Sequence, residues 1–168
     1  MEVRIERAER RDLAGIMRIE RASFSMPWSR WAFLRDLLSR HAHLFVAKIG
    51  DEVVGYVDIW ITEEEGHITN LAVSPRHRRK GIGSMLLKHA LDYARSKGVK
   101  KVWLEVRRSN LAAQRLYAKF GFKAIGVRRG YYTDTGEDAL LMGVDLDEDR
   151  NPLPVQGGLF DEEAGGGG

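Results

Sequence analysis

The densest chemistry in the chain lies in the run Arg76-His77-Arg78-Arg79-Lys80-Gly81-Ile82-Gly83-Ser84. It follows an apolar stretch ending at Pro75 and precedes a helical apolar repeat. Glycines at 81 and 83 let the backbone turn sharply and lie close against a ligand. A helix starting there aims free N–H groups and the positive end of its dipole at the loop. Such a terminus suits an anion, a pyrophosphate above all, and Arg76, Arg78, Arg79 and Lys80 add positive charge. The form is R-x-x-G-x-G. It lacks the glycine–lysine spacing of a P-loop, and Leu86 stands where a dinucleotide fingerprint needs its third glycine. Spacing alone leaves two bland alternatives open: a tight turn with solvated bases, or a nucleic-acid patch.

The elements that must hold this loop follow from periodicity. Val3, Ile5 and Ala8 mark a short strand. Leu13, Ile16, Met17, Ile19 and Ala22 repeat at helical spacing, and a second helix runs through Trp31, Leu34, Leu37 and Leu38 from an N-cap at Ser29. The connection between them, Phe24-Ser25-Met26-Pro27-Trp28-Ser29, is rich in aromatic residues for a loop. Residues 43–50 and 52–61 form a hairpin around Gly50-Asp51, and 67–75 is a further strand stopped by Pro75. The period then changes to a helix over 81–97. A strand follows at 100–106, then a helix over 110–122 ended by Gly121. Two last strands, 122–129 and 138–146, are joined by Gly130-Tyr131-Tyr132-Thr133-Asp134-Thr135-Gly136-Glu137. The order β-α-α-β-β-β-α-β-α-β-β predicts an α/β (α+β) fold with a mixed, mostly antiparallel seven-stranded sheet and about four helices.

Composition narrows the function classes. The 168 residues contain 43% hydrophobic and 30% charged residues, enough for one packed domain. The chain has no cysteine, which excludes a disulfide scaffold, a thiolate metal site and a cysteinyl intermediate. Histidines 41, 43, 67, 77 and 89 are scattered without ligand spacing, so no metal site is expected. No apolar run approaches the ~20 residues of a membrane span. The charged N-terminus has no apolar signal core, so a cytoplasmic location and no membrane partner are expected. The net charge of +3 is uneven. Residues 145–168 carry seven acids and one base, leaving the rest of the chain at +9 and suited to an anionic partner. The expected division is a domain over 1–146 and an acidic, Pro- and Gly-containing disordered tail over 147–168, in which Leu159-Phe160 is the one apolar pair.

The stretch Arg78-Arg79-Lys80-Gly81-Ile82-Gly83-Ser84-Met85-Leu86-Leu87 after Leu71-Ala72-Val73-Ser74-Pro75 resembles the acetyl-CoA pyrophosphate loop of the GNAT acyltransferase superfamily. Four more segments narrow the resemblance. They are residues 24–29, Leu104-Glu105-Val106-Arg107-Arg108-Ser109-Asn110, residues 116–122 and residues 130–142. Together these are similar to the RimI-type ribosomal-protein-alanine N-acetyltransferases and their archaeal N-terminal acetyltransferase relatives, in the same order and over about residues 1–146.

The resemblance implies acetyl-CoA as cosubstrate and a protein N-terminus as acceptor, with the N-terminal alanine of a ribosomal protein as the leading case. It implies that Leu71, Ala72 and Val73 bind the pantetheine arm through their backbone. Arg78, Arg79, Lys80, Gly81, Ile82, Gly83 and Ser84 would hold the pyrophosphate, and Asn110 would touch the cofactor. Asn110 is in any case a strong N-cap. Glu105 matches the family's proton acceptor and Tyr117 its proton donor to the CoA sulfur. Alternation places Trp103 and Glu105 on the strand face opposite Val102, Leu104 and Val106. Helical spacing places Tyr117 with Ala113 and Phe120, which also describes a packed core tyrosine. Phe24, Pro27, Trp28, Tyr131 and Tyr132 would wall the peptide groove, or equally pack a loop rim. Without a cysteine, direct attack of the amine on the thioester is expected. Three readings stay open: an N-terminal acetyltransferase, an acetyltransferase for lysine or small amines, and a nucleic-acid or ribosome-binding module using the basic loop.

Overall fold

The computed structural model describes residues 2–146; the segment expected to be a tail, 147–168, lies outside the described residues. The strands are β1 (Arg4–Arg7), β2 (Ala42–Ile49), β3 (Glu52–Thr62), β4 (Glu65–Val73), β5 (Lys101–Arg107), β6 (Lys123–Tyr132) and β7 (Glu137–Asp145). The α-helices are α1 (Leu13–Ser23), α2 (Arg30–Leu38), α3 (Ile82–Ser96) and α4 (Leu111–Lys119). Short 3-10 turns at Arg10–Asp12 and Pro75–His77 introduce α1 and the basic loop.

One sheet in the order β1-β2-β3-β4-β5-β7-β6 holds the molecule together. Every pairing is antiparallel except β4 with β5, which is parallel. The sheet separates two apolar layers. On one face α1 and α2 bury Leu13, Ile16, Phe33, Leu44 and Tyr56. On the other, α3 and α4 bury Leu86, Leu87, Leu91, Leu104, Leu116 and Tyr117. The expected caps form: Ser29 Oγ accepts from Ala32 N at 3.1 Å, and Asn110 Oδ1 accepts from Ala113 N at 3.1 Å.

The feature that makes a site is the failure of β4 and β5 to stay together. They pair over three steps, from Glu65 with Lys101 to His67 with Trp103, and then diverge. At that point β4 carries an irregularity opposite Asp58 and Ile59, where Thr69 is the extra residue. An added residue bends its strand and increases local twist, so the bulge turns Asn70 through Val73 away from β5. The gap leaves one edge of β4 unpaired within the sheet while β3 still covers the other.

The last two strands differ from expectation. Gly130, Tyr131 and Tyr132 belong to β6, not to the connection, which shrinks to residues 133–136. Tyr132 pairs with Glu137 across a register shift, so the strand continues past Gly130 by bulging.

Candidate active site

The gap between β4 and β5 has a backbone wall. Ser74 N donates to Val54 O at 2.8 Å, and Tyr56 faces Ala72 in the same register. Antiparallel ladders alternate, so the amide and carbonyl of Ala72 point toward β3 while those of Leu71 and Val73 point into the gap. Of the three residues expected to act through their backbone, Leu71 and Val73 therefore face it and Ala72 faces away.

Below the gap, α3 begins at Ile82 with Gly81 as its N-cap in a left-handed conformation, φ 80°. No side chain caps this end. The first helical bond runs from Met85 N to Gly81 O at 3.0 Å, so the amides of Ile82, Gly83 and Ser84 precede it. Arg79 also has positive φ, 65°, which costs a non-glycine residue about 1–2 kcal/mol.

The bases of the loop divide. Arg78 is half-buried and works as a brace: Nε donates to Val73 O at 3.0 Å and Nη2 to Ser23 Oγ at 3.1 Å. Burial lowers its pKa from the ordinary arginine value. Arg76 turns to Glu52 at 3.3 Å. Arg79 and Lys80 are exposed and hold no ion pair among the described residues, which leaves them as the bases available to phosphate.

On the α1–α2 face the gap opens into a cleft of about 270 Å³ lined by Glu20, Phe24, Met26, Trp28, Thr69, Asn70, Glu105, Arg107, Tyr131 and Tyr132. Phe24, Trp28, Tyr131 and Tyr132 all line this cleft. Pro27 is exposed and outside the lining, and Met26 takes its place.

Glu105 sits on the cleft side of β5, with Val102, Leu104 and Val106 buried behind it. Its carboxylate is gripped at both oxygens: Oε1 lies 2.9 Å from His67 Nε2, and Oε2 lies 3.3 Å from Arg128 Nε. His67 in turn stacks flat on Trp103, with centroids 3.7 Å apart. Glu20 forms the buried floor. It accepts from Trp28 N at 2.8 Å, from the Asn70 amide at 3.3 Å and from the Tyr56 hydroxyl. Burial raises the Glu20 pKa against the pull of these donors.

Arg107, two residues along from Glu105, ties the walls together. Its guanidinium donates to Asp134 and Ser25, and to Thr135 and Glu137. It also lies 4.1 Å from the Tyr132 ring centroid. Burial would lower its pKa, but Asp134 and Glu137 raise it beyond the ordinary arginine value. One cation thus joins the α1–α2 loop, β5 and the β6–β7 turn.

Tyr117 lies on the other side of the sheet, 2% exposed and beside Phe122. Its hydroxyl makes no hydrogen bond among the described residues. Burial raises its pKa, with a smaller contribution from Tyr132, so the phenol keeps its proton.

Sequence reasoning missed Glu20, His67, Arg107 and Arg128. Two had a readable signal. Arg107 shares the alternating face of Trp103 and Glu105, and Glu20 falls in the apolar stripe of α1, four residues after Ile16. No His, Asp and Glu grouping among the described residues could hold a metal ion.

Known proteins bear on this arrangement. The model of the acetyltransferase (GNAT) family matches residues 13–122. The chain is 34% identical over 144 residues to the ribosomal protein bS18-alanine N-acetyltransferase of Escherichia coli, covering 84% of this chain and 97% of that one. It is 35% identical over 158 residues to an N-alpha-acetyltransferase of Sulfurisphaera tokodaii, covering 86% and 94%. The crystal structure of the E. coli ribosomal-protein-S18-alanine N-acetyltransferase superposes with a TM-score of 0.81 at 32% identity, over 89% of this chain and 99% of the other. Matches of this extent show that the chain belongs to the GNAT acetyltransferase family.

Proposed function

We propose that this chain transfers an acetyl group from acetyl-CoA to the N-terminal α-amine of a protein, the N-terminal alanine of a ribosomal protein being the leading acceptor. The observation that carries the proposal is Glu105 placed where the gap meets a cleft walled by Trp28, Tyr131 and Tyr132. The similarity to a bS18-alanine N-acetyltransferase over nearly its full length supports the acceptor.

The chain fits the cosubstrate on its own features. Leu71 and Val73 offer amides and carbonyls to a pantetheine arm, apart from the Val73 carbonyl that Arg78 takes. The uncapped amides of Ile82, Gly83 and Ser84, with Arg79 and Lys80, offer a pyrophosphate seat. Bound acetyl-CoA would supply a thioester carbon for the amine to attack.

The residues then divide the proton work. An α-ammonium has a reference pKa of about 7.7–8.0 and must lose a proton before attack. Glu105 accepts it, directly or through a water, and His67 and Arg128 hold the carboxylate in place. The Val73 N–H points into the gap as a donor to a developing oxyanion. Tyr117, kept protonated by burial, donates toward a departing thiolate.

The similarity to an enzyme named simply as an N-alpha-acetyltransferase leaves room for one second reading, broader specificity that extends to Ser-, Ala- or Met-starting termini. Transfer of labelled acetyl from acetyl-CoA to peptides differing in their first two residues separates the two. A strict alanine enzyme labels Ala-starting peptides alone, and a broad one labels all three sets. Labelling confined to lysine-containing blocked peptides would remove both readings.

A further inference from the structure

A second recess adjoins the acceptor cleft. It has a volume of about 420 Å³ and shares Trp28 and Thr69 with the cleft. Its floor is a row of rings across three strands. Trp60 on β3 pairs with His67 on β4, and His67 pairs with Trp103 on β5. His67 and Trp103 are stacked, and Trp28 closes the end nearest the cleft. Three of the chain's four tryptophans thus line one recess. Trp60 is held at its indole N–H, which donates to Asp36 Oδ2 at 3.1 Å.

The recess is close to the chemistry. One edge of the His67 ring touches Glu105 while its face covers Trp103. A chain whose terminal amine sits at Glu105 and which runs toward Trp103, advancing about 3.3 Å per residue, would bring its second to fourth residues over this row.

The rings select the occupant, because Arg35 and Glu65 at the rim carry opposite charges and give no net preference for either sign. Flat indole and imidazole faces favour a planar apolar group by offset stacking or edge contact.

We propose that this recess is an acceptor subsite for a large neutral aromatic side chain at one of positions two to four of the peptide. The proposal rests on the N-terminal acetyltransferase reading. It makes Trp60 a specificity-determining residue, since Trp60 touches none of the groups that move protons.

The test uses the full chain, acetyl-CoA and Ala-starting peptides in which Phe, Ala, Lys or Glu is placed in turn at positions two, three and four. Wild-type enzyme should show a KM about tenfold lower for Phe than for Ala at one of these positions. Lys and Glu should show no such gain, and kcat should change little. Trp60→Ala should abolish the Phe advantage while leaving the all-Ala peptide unchanged. Because that substitution also strips a partner from Asp36, Thr62→Trp serves as the second variant. Thr62 is an exposed residue at the rim, and a ring there should fill the recess with the same result. Tryptophan fluorescence, excited where Phe is silent, reads peptide binding independently of turnover. Absence of a Phe advantage in wild type overturns the subsite, as does its persistence in both variants or a stronger gain for Lys. Tight binding of Phe peptides with no transfer to any of them would keep the subsite and overturn the acetyltransferase reading on which acceptor chemistry depends.

Discussion

The proposed cofactor wall of the gap is a continuous stretch of chain, residues 71–84, and the groups it offers are mostly backbone amides. The proposed acceptor wall gathers side chains from α1, the α1–α2 loop, β4, β5 and β6. The first needs a strand end, two glycines and a helix start, all local events. The second needs a fully formed sheet. Rigidity differs accordingly: the amides of the first wall are fixed by α3 and by the Arg78 brace, whereas the second depends on Arg107 to hold two loops against β5. Substitutions on the two sides should therefore fail in different kinetic parameters.

The largest expected effect is on the acceptor side. Glu105→Gln keeps the shape and removes the proton acceptor, so kcat should fall about 10²–10⁴-fold at neutral pH. Acetyl-CoA affinity measured by calorimetry should stay within twofold. A kcat within twofold of wild type, with chemistry rate-limiting, would remove Glu105 from the role.

Gly83→Val should act in the opposite sense. Gly83 is buried in the first turn of α3, and a branched side chain there holds a ligand off the amides. Acetyl-CoA should bind about 100-fold more weakly, roughly 2.7 kcal/mol, a loss read at a temperature where a melt shows the variant still folded, since added bulk at a buried position also lowers stability. Unchanged affinity would end the assignment of this loop.

Arg107→Ala sharpens the comparison because the side-chain bonds it removes, to Ser25, Asp134, Thr135 and Glu137, all lie on the acceptor side. Releasing Ser25, Asp134 and Glu137 from one another should loosen the peptide groove, and small misplacements of a substrate carry large rate penalties. We expect the peptide KM to rise about tenfold and acetyl-CoA binding to stay constant. Equal losses for both ligands would show that Arg107 supports the whole sheet instead.

Tyr117→Phe is the smallest and bridges the two walls. A hydrogen-bonded buried hydroxyl contributes about 0.5–1.5 kcal/mol to stability, but this one has no such bond among the described residues. The melting temperature should barely move, while the rate at saturating acetyl-CoA should drop about tenfold, less than the about 10²–10⁴-fold typical of general acid–base catalysis, because a CoA thiolate can also leave unaided. Full activity with a lowered melting temperature would make Tyr117 a core residue.

The same contrast explains what could be read from the sequence. The loop at 78–84 declared itself because its chemistry and its geometry are neighbours in the chain. Glu105 came with a motif, and its face came from the alternation of β5. His67 carried no local mark, because its partners arrive from β5 and, through Glu105, from β6. Tyr131 and Tyr132 were expected in a loop because Gly130 and the polar run after them look like a turn. Pairing of Tyr132 with Glu137 and its ring against Arg107 extend the strand instead, and both contacts are tertiary. The bulge at Thr69 that opens the gap was equally silent, since an extra residue shows only against its partner strand.

The central claim is that the cleft receives a chain terminus. The most direct measurement offers one peptide carrying both a free N-terminal alanine and an internal lysine, with acetyl-CoA, and locates the product acetyl group by tandem mass spectrometry. The account predicts modification of the α-amine and an untouched lysine. Acetyl on the lysine ε-amine, with the terminus free, would contradict it.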